Sequence, residues 1–259
     1  MGSQTQISPR DSQSTIASIH TSSIGIENGG FENDFKDWNT IGDTSIETED
    51  LGIFPSEGTY QALITNGYSD AGGSVIDSDL EEFLDLDPGS LDHLVHGDAI
   101  EGSFIKQTFT AEAGDVVSFD WNFLTNEHTP DTTFNDTAFL TLNGFAYELA
   151  DTGAHFTHAA HVDQFEQQTG TQSLEFTIAT AGTYTIGFGV VDVGDDSYDS
   201  GLVIDNVAVE QPYDGIGSRS TNSGSGLSFG EDGFTSADSN LAISSEPALV
   251  FDGNGFEVV

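Results

Sequence analysis

The chain has 259 residues, a formal charge of −40 at pH 7, 44 Asp and Glu against 4 Lys and Arg, and no Cys. Such a polyanion does not neutralise phosphates and is repelled by anionic membranes, which argues against nucleic acid and membrane surfaces as partners. Disulfide frameworks, Cys-based zinc sites and Cys nucleophiles go with the missing cysteines, and no apolar run approaches the ~18 residues that cross a bilayer.

Hydrophobic residues make up 36% of the chain, but 19 Phe are enough to build a core. Asp outnumbers Glu, 27 to 17. Asp favours turns, caps and hard cations where Glu favours helices. With 30 Gly and many Ser and Thr, the composition predicts an all-β protein with polar loops. Salt or a bound divalent cation relieves the self-repulsion of so much charge. A high-salt surface chemistry and specific Ca²⁺ binding both explain it, and they are compatible.

Residues 1–25 form a Ser/Thr/Gln-rich N-terminal arm without a signal-peptide pattern. They read either as a disordered arm or, over 15–27, as a strand donated to a neighbouring subunit. Residues 26–212 read as β. Strands are expected around Phe31 and over 44–49, 58–64, 102–110, 118–124, 137–142, 173–178, 182–191 and 201–210, eight or nine in all. Alternation puts Tyr184, Ile186, Phe188 and Val190 on one face, and likewise Phe119, Trp121 and Phe123. Short turns separate several of these runs, the pattern of a two-sheet jelly-roll β-sandwich. Two short helices are expected at 77–86 and 90–97, the second capped by Ser90 and stopped by Gly97, covering an edge or end of the sandwich. Residues 213–259 read as a Gly/Ser linker and a tail that either adds a strand or stays disordered. An acidic chain of this kind also fits one-step export through a type I system.

Residues 28–38, NGGFENDFKDW, resemble the opening of Ca²⁺-binding jelly-roll carbohydrate-binding modules, and LVIDNV at 202–207 resembles their closing strand. The runs IGDTSIET, EGTYQALITNG, IKQTFTAEAGDVVSFDWNFLTNE and TIATAGTYTIGFGVVDVGD are similar to a bacterial exported domain. That domain is common in cyanobacteria and often carried on PEP-CTERM-anchored proteins. The likeness covers residues 28–209; a terminal apolar helix followed by Arg, which anchors such members, is not present in the sequence. The resemblance implies a structural Ca²⁺ held by Glu32 and Asp205, where first and last strands lie side by side.

A second Ca²⁺ is expected among Glu127, Asp136 and Asp192, drawn from the strand-end acids Asp120, Asn122, Glu127, Asp136, Asp192 and Asp199. Parity turns Asp192 inward, and a buried carboxylate needs a partner that four permanent cations hardly supply; solvated loop acids are the plainer alternative. His155, His158 and His161, and the pair His93 and His96, have spacings that bind transition metals on a helix, although loop histidines are common. Trp38, Tyr60, Tyr68, Trp121, Phe134, Tyr147 and Tyr198 are the aromatics weighed for sugar stacking, with Tyr68 and Tyr198 the best placed for exposure.

Zinc-protease, nucleophile-elbow, phosphate-loop and dinucleotide signatures are absent from the sequence. The sequence therefore predicts a non-enzymatic, Ca²⁺-stabilised extracellular protein that self-assembles into a layer, filament or matrix through its arm or tail. The alternative is a carbohydrate-binding module or lectin-like adhesin whose partners are extracellular glycans.

Overall fold

The computed structural model describes residues 25–67, 73–130, 133–162, 164–211, 227–230, 233–236, 249–253 and 255–258. The strands begin with β1 (Glu32–Phe35), β2 (Asn39–Ile41), β3 (Asp43–Glu47), β4 (Gln61–Thr65) and β5 (Val75–Ile76). The helices α1 (Asp77–Leu84) and α2 (Ser90–Leu94) follow. Then come β6 (Ala99–Ala111), β7 (Val116–Thr125), β8 (Thr137–Leu142), β9 (Phe145–Asp151), β10 (Thr157–His158) and β11 (Gln167–Gln168). The body closes with β12 (Gln172–Ile178), β13 (Gly182–Val193) and β14 (Ser200–Glu210). The tail carries β15 (Leu227–Gly230), β16 (Gly233–Ser236), β17 (Leu249–Phe251) and β18 (Phe256–Val258).

Apart from β15 and β16, which pair with each other as a separate hairpin, these strands form a two-sheet jelly-roll β-sandwich. The larger sheet has the order β18-β17-β12-β7-β14-β4-β3, with β11 and β10 attached through β7. The smaller has the order β2-β6-β13-β8-β9, with β5 on β6. Alternation decides what lies between them. Phe119, Trp121 and Phe123 of β7 face Tyr184, Ile186, Phe188 and Val190 of β13, and all are buried in the central core. Leu174, Phe176 and Ile178 of β12 and Leu202 and Ile204 of β14 complete it. Such a side chain gains roughly 1.5–3 kcal/mol on burial. The predicted faces of β7 and β13 are therefore the observed ones.

The helices do not cover an edge or end. They lie over the outer face of the smaller sheet, where Leu80, Leu84, Leu91 and Val95 pack on Phe104, Phe139, Val191 and Val193. Those four strand residues point away from the central core, and apolar side chains left outward need a second layer. Gly187 makes room there: a Cβ on it would stand 2.2 Å from the Phe104 ring. Ser90 is the first helical residue of α2, not its cap; Gly89, at φ 82, is the N-cap. The helix ends at Leu94, capped by Val95, so Gly97 lies beyond the stop.

Two more differences concern strands. β9 went unread in the sequence because Ala146, Glu148 and Ala150 blur its alternation. The expected strand of residues 15–27 falls mostly outside the described residues, as does the linker of 213–226. The last residues do pack as an added element: β17 pairs in parallel with β12, and β18 pairs antiparallel with β17.

Candidate functional site

The outer face of the larger sheet is covered over only part of its area. Leu51 and Ile53 from one loop, and Ala159, Val162 and Phe165 from another, sit on Leu63, Leu124 and Val203. Beside this patch a small, shallow depression remains, partly open to solvent. Its floor includes Asp120, Asn122 and Asp205, and Phe54 and Gln61 stand at its sides. Register explains the convergence. Asp205 lies opposite Asp120, and Val203 opposite Asn122, in the β14–β7 ladder. The parity that sends Trp121 and Ile204 inward sends these polar side chains out.

The polar groups are held in place by their neighbours. Asp120 accepts from Ser173 Oγ and from Asn206 Nδ2 at 3.1 Å. Asn122 donates to Gln168 Oε1 at 2.9 Å and accepts from Thr169 Oγ1 at 3.3 Å. Gln61 donates to the Ile53 carbonyl at 2.8 Å, fixing the loop that carries Phe54. Phe54 itself is 76% exposed, the most exposed large apolar side chain among the described residues. Trp121 also borders the depression, and its buried indole N–H has no acceptor.

Asp205 and Glu32 both hold the loop that precedes β4. Asp205 Oδ2 accepts from the Glu57 amide at 2.9 Å, and its Oδ1 accepts from the Asn206 amide at 2.7 Å. Glu32 Oε1 accepts from the amides of Thr59 at 2.5 Å and Tyr60 at 2.9 Å. Both residues thus brace the one loop before β4. Gly58 allows it: at φ 62, a Cβ there would fall 2.2 Å from Glu32 Oε1. Burial pushes the Asp205 carboxyl up to about 6, against the amide donors that pull it down, with Glu57 adding like charge.

The second predicted group gathers at one end of the sandwich. Asp136 precedes β8, Asp192 lies near the end of β13, Ser200 begins β14, and Asn66 follows β4. Asn66 Nδ2 donates to Asp136 Oδ2 at 3.1 Å and also to Asp192 Oδ1. Ser200 Oγ donates to Asp136 Oδ2 at 2.6 Å, and the Val193 amide reaches Asp136 Oδ1 at 3.2 Å. Glu127 is buried nearby and raises the Asp136 pKa through its charge. Both aspartates are held above the usual carboxylate range, first by burial and then by like charge. Two carboxyls this close share a proton at neutral pH unless a cation replaces it. Inward-pointing Asp192 agrees with its parity, and it is 2% exposed.

The oxygen donors of both groups have the chemistry of a Ca²⁺ shell. Their placement is looser than a shell, because Glu32 and Asp205 direct oxygens at amide N–H groups. Among the described residues, no three His, Asp or Glu side chains converge as one ligand set. Lys36 pairs with Asp37 and Lys106 with Asp85.

Other expectations scatter. His155, His158 and His161 are exposed around the short strand β10, not along a helix. His158 Nδ1 lies 2.9 Å from the Glu166 carbonyl. The His93 and His96 rings stand 6.3 Å apart, edge to face. Trp38 and Trp121 are core residues, Tyr60 and Tyr198 are exposed, and Tyr68 lies outside the described residues. Phe54 is a lone loop aromatic in the sequence, with Pro55 beside it as the one local sign of a turn. No helix among the described residues is long and apolar enough to cross a membrane.

No family model matches the chain, and no curated protein matches it. Solved structures similar to it include the module TmCBM61 in complex with β-1,4-galactotriose. That match has 12% identity and a TM-score of 0.37, over 72% of this chain and 97% of that one. The mannan-recognising module TmCBM27 has 14% identity and a TM-score of 0.35, over 74% and 97%. The K1 cleaved adhesin domain of Lys-gingipain from Porphyromonas gingivalis W83 has 10% identity and a TM-score of 0.34, over 68% and 91%. At these scores the likenesses carry no argument about the site, which rests on strand register and side-chain placement.

Proposed function

We propose that the protein is a non-catalytic carbohydrate-binding module acting outside the cell. The observation that supports this is the exposed Phe54 ring beside a depression in which the Asp120 carboxylate is half-buried, with Asn122 and Asp205 buried beneath it. Sugars present apolar C–H faces to rings, and their hydroxyls donate to carboxylates and amides. The floor is preorganised by Ser173, Asn206, Gln168 and Thr169, so little side-chain ordering is left for binding. Its charge selects the ligand: two aspartates and a net −40 disfavour uronic or sulfated glycans, leaving neutral saccharides. A hydrolase reading is weaker, because it needs a pair of accessible carboxyls and Asp205 is 2% exposed, leaving Asp120 alone. Calorimetric titration with a panel of neutral and acidic oligosaccharides tests the reading. Saturable binding of a neutral saccharide, lost in Phe54→Ala, is expected; a panel with no neutral binder, or binding untouched by Phe54→Ala, overturns it.

Ca²⁺ belongs to the same proposal as a stabiliser. Glu32 with Asp205, and Glu127 with Asp136 and Asp192, are its ligands in this reading. The support is oxygen chemistry and the scarcity of cations, with only Arg10, Lys36, Lys106 and Arg219 in the chain. Melting in Ca²⁺ and in chelator checks it. A rise of several degrees with Ca²⁺ is expected, and equal melting temperatures with no metal by mass spectrometry count against it.

A further inference from the structure

The tail hairpin closes the side of the sandwich where the edges of both sheets meet. Without it β12 would be a free edge, its amides and carbonyls open to pairing. β17 fills that edge in parallel, with Thr177 opposite Val250 and Ile178 opposite Phe251. The Ala179 amide adds a bond to the Phe251 carbonyl at 2.9 Å. Phe251 is fully buried, its ring 6.0 Å from that of Tyr184. Phe256 packs edge-on against Phe176 of β12 at 4.8 Å and Tyr147 of β9 at 4.6 Å. One short hairpin thus bridges the larger sheet, through Phe176, and the smaller, through Tyr147 and Tyr184.

Its covalent connection is long. Residues 211–248 separate β14 from β17. The β15–β16 hairpin is paired within it; the 16 residues before that hairpin and the 12 after it, fully extended, reach on the order of 90 Å together, whereas the longest strand, β6, spans roughly 43 Å. Neither the groove nor the hairpin distinguishes its own chain from another copy. The backbone attachment is also small, a two-residue parallel register beside the antiparallel ladders of the body.

We propose that the C-terminal hairpin is an exchangeable clasp, and that the groove along β12 accepts the same hairpin, residues 249–258, from a second copy of this chain. A tether of this length gives its own hairpin an effective concentration on the order of millimolar, so the closed monomer prevails in dilute solution. Crowding at a surface brings copies into that range, and reciprocal exchange then links them without any new contact surface. Charge regulates the step. Each copy carries −40 and the hairpin itself adds Asp252 and Glu257, so exchange rises with ionic strength. The inference is independent of the glycan reading, since the depression on the outer face and this edge share no residue.

The chain has no cysteine, so engineered thiols report the pairing directly. The Thr177→Cys/Val250→Cys protein is expected to form a disulfide within one chain. Full-length Thr177→Cys and size-tagged Val250→Cys proteins are mixed under reducing conditions, then oxidised. The expected product is a covalent heterodimer whose yield grows with concentration. It should also grow with salt up to about 1 M, where the screening length is about 3 Å. Adding Phe251→Ser to the Val250→Cys chain should cut the yield severalfold, and Phe256→Ser should do so independently. No heterodimer while the double variant closes within its chain overturns the proposal. So does a heterodimer yield that neither Phe substitution changes, which marks random collision. Failure of the double variant to close overturns the pairing itself. Glycan titration of the same proteins keeps the two readings apart.

Discussion

The two outer faces of the sandwich obey the same alternation and end differently. On the smaller sheet the outward residues Phe104, Phe139, Val191 and Val193 are apolar, and two helices cover them. On the larger sheet the outward residues Asp120, Asn122 and Asp205 are polar; Asn122 and Asp205 are buried among hydrogen-bonded neighbours, and beside the loops on Leu63, Leu124 and Val203 Asp120 stays partly exposed next to Phe54. An apolar outer face needs a second layer and becomes structure. A polar one is stable against water and is free to become a site.

The comparison breaks most easily on the covered face. Leu80 is fully buried under α1, and Leu80→Ala should cost about 2–5 kcal/mol in chemical denaturation. A cost below about 1 kcal/mol would show that the helices do not hold this face. Gly187→Ala probes the same layer from beneath. The added methyl meets the Phe104 ring at 2.2 Å and the Ile105 carbonyl at 2.8 Å, and an overpacking cost of about 1–3 kcal/mol is expected. A neutral result would mean that the sheet shifts freely under the helices.

The buried end of the sandwich tests the electrostatic side. Asp136, Asp192 and Asp205 all titrate above their ordinary range in the folded protein. The folded state therefore holds more protons than the unfolded one. The stability these groups contribute is complete below the unfolded value of about 3.8 and is lost as pH rises, through about 6 for Asp205 and beyond that for the pair. Denaturation in chelator should show stability falling from pH 5 to pH 8. Asp192→Asn should recover on the order of 1–2 kcal/mol at the upper end. A profile that is flat in wild type sinks the shared-proton account. If Ca²⁺ flattens the wild-type profile and leaves Asp192→Asn unchanged, the cation takes the proton's place.

Much of this was legible in the sequence, and the limits have physical causes. Period-two alternation in residues 118–124 and 182–191 assigned both inner faces, because burial leaves its mark residue by residue. Parity placed Asp192 inside. The same rule could not say which outer face would be covered, since that depends on where the loops and helices land. It could not bring Asn66 and Ser200 to Asp136 either, because three separate strand ends meet there only after the sheets pack. The tail was ambiguous for a related reason. Leu249–Phe251 is too short to declare itself, and only the open edge of β12 gives Phe251 somewhere to go. Phe54 was passed over because a lone loop aromatic carries no period at all.

The smallest stability effect and the most informative binding effect belong to that residue. Phe54 is 76% exposed, so Phe54→Ala should change folding stability by no more than about 0.5 kcal/mol. Its loss from the rim should still weaken a bound neutral saccharide about tenfold, the loss of one stacking partner. The two faces are then separated by readout. Substitutions under the helices move the denaturation midpoint in proportion to the volume removed. Phe54→Ala leaves the midpoint in place and moves only the saccharide titration. If Phe54→Ala destabilises as much as Leu80→Ala, the uncovered face is structural after all, and the distinction between a face that must be covered and a face free to bind fails.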